Sequence, residues 1–268
     1  MTTPNPDPNT STRHSSRKNR VYTMRQFLLE TYAHALPPRS TILDVAGGSG
    51  TLSWLLLNVD GYDAVVVDPR PCTNHKSLER SVRYLKDHPA VTKERSVRGA
   101  PTHQPLACLV DGIVESEMRS PVHLRVAVDE GMVDAVGDLS TWMRYWEETG
   151  CSSSSSRART AAEAYELITT ASLIVGFHPD QATEACIDLA KKLKVPFAVC
   201  PCCVFPSEFS WRRLKKDGRA VKKYWDLVDY LKEKCENWGL ACRVEELTFF
   251  DAEMAKNVVL YTLPGDWD

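Results

Sequence analysis

The 268-residue sequence has no apolar run approaching the ~18 residues that a membrane-crossing helix needs, and its first twenty residues carry no apolar core of the secretory type. A soluble protein of the cytoplasm or nucleus is therefore expected, with no membrane partner. Charge of one sign is also missing. The 33 Lys plus Arg stand against 35 Asp plus Glu, a net charge of −2, so no global field recruits nucleic acid and any charge-driven partner must use a local patch. An even-numbered disulfide framework is absent too. The nine cysteines include Cys200, Cys202 and Cys203, a spacing that suits free thiols in a reducing compartment. There is no internal repeat. With 43% apolar and 25% charged residues the chain has ordinary globular composition, enough for one large core.

The organisation that is present starts with a tail. In Met1–Arg20, Asp7 is opposed by Arg13, Arg17, Lys18 and Arg20, and there is too little apolar surface to order the segment, so residues 1–20 read as an unstructured basic tail. Residues 21–268 read as one domain. Met24, Phe27, Leu28 and Tyr32 recur at helical spacing and Pro37-Pro38 ends that helix. The period then changes: Thr41–Ala46 is a short apolar run, Gly47-Gly48-Ser49-Gly50 a turn, Thr51–Asn58 a helix and Ala64–Val67 a second buried strand. This is a βαβ unit, and it implies a parallel sheet with right-handed crossovers. Further on, Ser77–Lys86 reads as a helix, Val122–Val128 as a strand and Cys151 with its five serines as a loop. The blurred stretch within about 88–160 is longer than one βα unit, hence an insertion. Regular order returns with strands at 172–177 and 196–199, helices at about 181–193 and along Val221–Leu231, and a closing antiparallel pair at 242–249 and 257–263. The fold class is α/β, with a mostly parallel sheet.

Ligands of open α/β sheets sit beyond the carboxyl ends of the strands, where the connection order switches. Gly47, Gly48 and Gly50 follow the first strand and permit close backbone approach. Asp68, followed by Pro69, ends the second strand and is placed to accept hydrogen bonds from both hydroxyls of a ribose, which points to an adenosine-containing cofactor. Asp44 lies immediately before the loop, where a carboxylate would repel the pyrophosphate of a dinucleotide. The segment Leu43-Asp44-Val45-Ala46-Gly47-Gly48-Ser49-Gly50 resembles the first motif of class I S-adenosylmethionine-dependent methyltransferases. That resemblance implies a Rossmann-like seven-stranded sheet with helices on both faces, and S-adenosyl-L-methionine as cofactor. It further implies that Asp44 and the glycine loop hold the methionine part while Asp68 holds the ribose. Ala46 stands at the first glycine position of the motif, which requires its φ to stay negative.

Methyl transfer needs an aligned nucleophile and an acceptor for its proton. His178, at the end of the fourth strand, is the candidate base, although His178 and Asp180 also suit the capping of the following helix. Asp180 is a candidate substrate contact. Cys202 and Cys203 end the fifth strand beside the substrate position. They admit three readings: zinc ligands lacking a second cysteine pair of metal spacing, a nucleophile in a Pro-Cys dipeptide like that of cytosine C5-methyltransferases, or small residues shaping a pocket floor. No metal is expected. The segment Gly176–Pro206 resembles a eukaryotic subset with a histidine after the fourth strand and a Cys-Cys pair after the fifth. That subset includes acceptor-stem tRNA 2′-O-methyltransferases and glutathione S-transferase C-terminal-domain-containing proteins. Here Val204-Phe205-Pro206 follows the pair, where the tRNA enzymes have histidines. From Arg212 to Lys223 the local charge is +6, with Arg212, Arg213, Lys215 and Lys216 as candidate phosphate contacts beside Trp211. The sequence thus favours an RNA substrate, tRNA foremost, with a small-molecule methyltransferase and a non-catalytic scaffold as the rival readings.

Overall fold

The computed structural model describes residues 9–71, 119–149, 159–247 and 256–267. Seven strands form one sheet: β1 (Thr41–Val45), β2 (Asp63–Val67), β3 (Val122–Leu124), β4 (Leu173–Phe177), β5 (Phe197–Cys200), β6 (Arg243–Glu246) and β7 (Val258–Tyr261). Their order is β3-β2-β1-β4-β5-β7-β6. The first five strands in that order run parallel, and β7 is antiparallel to both β5 and β6. The connection order reverses between β1 and β4, which makes the crevice beyond Val45 and Phe177 the topological switch point. This is the Rossmann-like α/β sheet with an antiparallel closing pair that the motif resemblance implies.

Period-two alternation assigns each strand's residues to two cores. Ile42, Leu173, Val175, Ala198 and Val259 face one side, where they pack with Met24, Leu28 and Tyr32 of α1 (Asn9–Tyr32) and with Leu52 and Leu56 of α2 (Thr51–Asn58). Leu43, Val45, Ile174, Phe197, Val199 and Leu260 face the other side. There they meet α3 (Glu130–Ala135), α4 (Leu139–Thr149), α5 (Ala161–Thr169), α6 (Thr183–Leu193) and α7 (Tyr224–Glu236). Tyr32 fastens α1 across the sheet, its hydroxyl donating to the carbonyls of Phe197 and Thr262, both at 2.9 Å. Local signals set the helix starts. Thr160 and Glu163 form a reciprocal capping box at α5, and the Asp129 carboxylate accepts the Met132 N–H at α3.

Several boundaries differ from the sequence reading. α1 begins at Asn9, inside the stretch expected to be an unstructured tail, and directly follows Pro8 of the run Pro4, Pro6 and Pro8. β3 ends at Leu124. Val126 and Val128 beyond it are buried without pairing, so the apolar alternation there serves the core and not the sheet. α6 starts at Thr183 because Asp180–Ala182 form a 3-10 turn whose first residue has φ 50°. The helix expected over Ser77–Lys86, the serine loop and most of the 88–160 insertion lie outside the described residues. Among the described residues no helix is long and apolar enough to cross a membrane.

Candidate cofactor and substrate site

The loop after β1 is shaped by what lies under it. Asp44 is buried beneath the loop, and its carboxylate accepts a hydrogen bond from Ser53 Oγ of α2 at 2.8 Å. Burial pushes its pKa from 3.8 up to about 6, against the Ser53 hydrogen bonds. A Cβ on Gly47 would sit 2.7 Å from the Asp44 carboxyl carbon, so only glycine lets the chain pass over the acid. Gly48 and Gly50 adopt φ values of 53° and 67°, and the Gly50 N–H closes the turn on the Gly47 carbonyl at 2.8 Å. Ala46 corrects the expectation of a negative φ. Its φ is 52°, held by its N–H bonding to the Val67 carbonyl at 2.8 Å, a left-handed conformation that costs a non-glycine residue roughly 1–2 kcal/mol.

Asp68 at the end of β2 is the second acid, and its environment acts the opposite way. One carboxylate oxygen accepts the Gly48 N–H at 2.9 Å and the other the Arg70 N–H at 2.8 Å. Nε and Nη2 of Arg70 then reach the two oxygens at 3.1 and 2.9 Å. Burial alone would raise the acid, but the Arg70 contacts and the Gly48 N–H outweigh it and hold the carboxyl below its ordinary value. From β3, His123 Nε2 lies 2.8 Å from the Asp68 carbonyl oxygen.

These residues border a cavity of about 650 Å³ at the carboxyl ends of the strands. Ala46, Asp68, Pro69 and Arg70 form one wall, Pro179 and Asp180 another, and Phe209 with Trp211 part of a third. Asp44 and the three glycines support this wall from behind and are not among the lining residues. Several lining residues escaped the sequence reading, among them Arg70, Asp129, Glu130, Asp188, Glu208 and Lys234. Asp129 and Glu130 follow the apolar run after β3, and the rule that ligands meet the carboxyl ends of strands would have found them. Among the described residues the walls hold seven carboxylates, those of Asp68, Asp129, Glu130, Asp180, Glu184, Asp188 and Glu208, against the two cations Arg70 and Lys234.

His178 has φ 57° and does not line the cavity. Its ring packs on Phe177, Nε2 lies 2.9 Å from the Lys256 carbonyl oxygen and Nδ1 lies 3.5 Å from an Arg20 guanidinium nitrogen. Burial first, and then Arg20, lowers its pKa, which favours a neutral ring directed toward α1 and the entry to β7. The His178 ring thus meets the Arg20 and Lys256 segments and is not part of the cavity lining. Asp180, by contrast, both lines the cavity and accepts a hydrogen bond from Cys202 Sγ at 3.0 Å. Burial, followed by the Asp180 contact, raises the Cys202 thiol, and a protonated thiol is not the activated nucleophile that the Pro-Cys reading requires. Cys203 is exposed beside it.

The basic segment divides between one buried residue and an exposed remainder. Arg212 is only 2% exposed, with Nε bonded to Glu184 at 2.8 Å and its guanidinium carbon 3.6 Å from the Phe209 ring centre. Tyr230 joins Glu184 at 2.8 Å, and Lys234 bridges Glu184 to Asp188. Burial opposes ionisation of Glu184, but Lys234, Tyr230 and Arg212 prevail and keep it below the usual range. Arg213 turns its guanidinium onto the carbonyls of Ser210 and Arg212. Lys215 bonds Asn237 at 2.7 Å, Lys216 pairs with Asp229 at 2.8 Å and Arg219 reaches Asp226 at 3.2 Å. α7 thus answers Lys216 and Arg219 of the +6 run, and Arg212 forms a buried ion pair with Glu184 of α6.

No family model matches the chain, and no curated protein does. Among solved structures the chain is similar to magnesium protoporphyrin IX methyltransferase (ChlM) from Synechocystis PCC 6803 with bound SAM. The identity is 9% and the TM-score 0.39, covering 97% of this chain and 86% of that one. It is also similar to the methyltransferase domain of a bacterial Hen1, at 14% identity and TM-score 0.40, covering 92% and 98% of the two chains. Strand order and strand direction define the fold, independently of these likenesses.

Proposed function

We propose that the protein is an S-adenosylmethionine-dependent methyltransferase acting on a small molecule. The observation that carries the reading is the Asp68 carboxylate, presented at the end of β2 in the wall of a cavity at the topological switch point. Its two oxygens meet the Nε and Nη2 donors of Arg70, the same two-donor geometry that the hydroxyls of a ribose would offer, so the residues present fit an adenosine group. Ala46 at the start of the Gly47–Gly50 turn borders the same space, as do Asp129 and Glu130. When bound, the cofactor supplies an electrophilic methyl group on a sulfonium. The protein's part is to align the nucleophile against that methyl, exclude water and offer the carboxylates of the wall as proton acceptors.

Among the described lining residues carboxylates still outnumber cations once Arg70 answers Asp68 and Arg212 and Lys234 answer Glu184 and Asp188, and that surplus favours a small neutral or cationic substrate over a phosphate backbone. Phe209 and Trp211 provide an apolar surface for such a molecule to lie on. Calorimetric titration with S-adenosylhomocysteine tests the cofactor: binding is expected in the wild type. Asp68→Ala should weaken it by about 1.5–3 kcal/mol, the range for hydrogen bonds to a charged acceptor, with the fold retained. Absence of binding would leave the scaffold reading. Tritiated methyl transfer then separates the substrate classes, with label expected in a nuclease-treated metabolite pool; label in RNA alone would reinstate the nucleic-acid reading.

A further inference from the structure

We propose that Asp180, Cys202 and Cys203 form a three-ligand site for a borderline-soft divalent cation, Zn²⁺ foremost, at the edge of the cavity. The two sulfurs and one carboxylate oxygen all lie within 4.8 Å of one another. Sulfurs bound to one tetrahedral zinc sit roughly 3.8 Å apart, since each Zn–S bond is about 2.3 Å, so small side-chain rotations close the set around an ion. Two thiolates exclude the hard cations Mg²⁺ and Ca²⁺, which take oxygen ligands. The chain reaches this arrangement through non-glycine residues in left-handed conformations on both segments, Asp180 at φ 50° and Phe205 at φ 48°. Such backbone persists where the surroundings over-determine it.

The existing hydrogen bond marks where the ion would go. Cys202 Sγ now shares its proton with Asp180 Oδ1 at 3.0 Å. A cation binding between them takes both sulfurs as thiolates, so each ion bound releases two protons to solvent while Asp180 stays a carboxylate. His178, two residues from Asp180, is directed toward Lys256 and Arg20 and does not complete the set. Three protein ligands with the fourth position unfilled are the coordination of a reactive zinc site, and one of the three, Asp180, lines the cavity.

The test uses the full chain stripped with a chelator and titrated with Co²⁺ under reducing conditions. One equivalent should produce thiolate-to-cobalt charge-transfer absorption and tetrahedral d–d bands. Zn²⁺ should displace the cobalt, and calorimetry in buffers of different ionisation enthalpy should report two protons released per ion. Cys203→Ser changes an exposed side chain and should keep the fold. It should weaken binding by more than the roughly 10–100-fold that loss of an outer-sphere partner costs. The double variant Cys202→Ser/Cys203→Ser should abolish the charge-transfer band. A band that persists in the double variant would assign it to other thiols and overturn the site, as would cobalt binding without thiolate absorption. Asp68→Ala should leave the cobalt spectrum unchanged, so failure of the metal site and failure of the cofactor reading are separable.

Discussion

At the β1–β2 end the cavity wall is held from behind by backbone of one βαβ unit, whereas at the β4–β5 end it is held by side chains that reach across from distant elements. In the first region Gly47 passes over Asp44, and the Gly48 N–H meets Asp68, all within one βαβ unit. In the second, Glu184 of α6 gathers Arg212, Tyr230 and Lys234 from two later segments. The difference teaches that the two regions fail differently. A site of the first kind loses ligand affinity when one acid is removed, while a site of the second kind loses the packing of the whole wall.

The largest expected effect tests the second region. Glu184→Ala strands the Arg212 guanidinium, which is 2% exposed, and should destabilise the protein by about 3–5 kcal/mol in urea unfolding, the cost of breaking a buried pair from one side. Lys216→Ala, which removes an exposed pair with Asp229, should leave the unfolding midpoint where it is. Equal effects from the two would erase the distinction between a buried network and a solvated patch.

A smaller effect distinguishes the two acids of the first region. Asp44 has its pKa raised to about 6 while Asp68 lies below its ordinary value, so environments one strand apart separate two chemically identical groups. Because the folded protein holds the Asp44 proton more tightly than the unfolded chain, stability falls as pH rises from about 4 to about 6 and levels off above that. Asp44→Asn removes this decline. The variant should match the wild type near pH 4 and exceed it at pH 7 by up to about 3 kcal/mol, from a shift of roughly two pKa units. Thermal unfolding across that range is the measurement, and a parallel offset at every pH would show that the Ser53 hydrogen bond, and not the buried charge, sets the difference.

The same contrast explains what was legible in the sequence. The βαβ unit, the glycine loop and Asp68 were legible because short-range pattern sets them: strand period, glycine freedom and one acid at a strand end. The φ of Ala46 is not legible in the sequence because a single β2 carbonyl, that of Val67, holds it in the left-handed region. Arg212 was read as a phosphate contact because a charge run carries no information about its partners. Glu184 lies 28 residues before Arg212, and only the packing of α6 against the 204–212 segment reveals the pair. His178 was placed at the right strand end, but the direction of its ring depends on Lys256 and Arg20, 78 and 158 residues away.

The smallest effect concerns the cation beside Asp68. Arg70 caps Asp68 through two side-chain contacts, yet its own side chain is 66% exposed, so solvent screens the pair. A ligand diol must displace that guanidinium before it can meet both oxygens of Asp68. Exposed ion pairs contribute at most about 1 kcal/mol, so Arg70→Ala should tighten S-adenosylhomocysteine binding by no more than roughly fivefold. The alternative is that Arg70 swings aside and keeps a contact with the bound ligand, in which case the variant binds more weakly. Calorimetry on Arg70→Ala and on Arg70→Ala/Asp68→Ala decides between them. A gain that vanishes when Asp68 is also removed identifies Arg70 as a competitor for the ribose acid, whereas a loss in both backgrounds identifies it as a ligand contact in its own right.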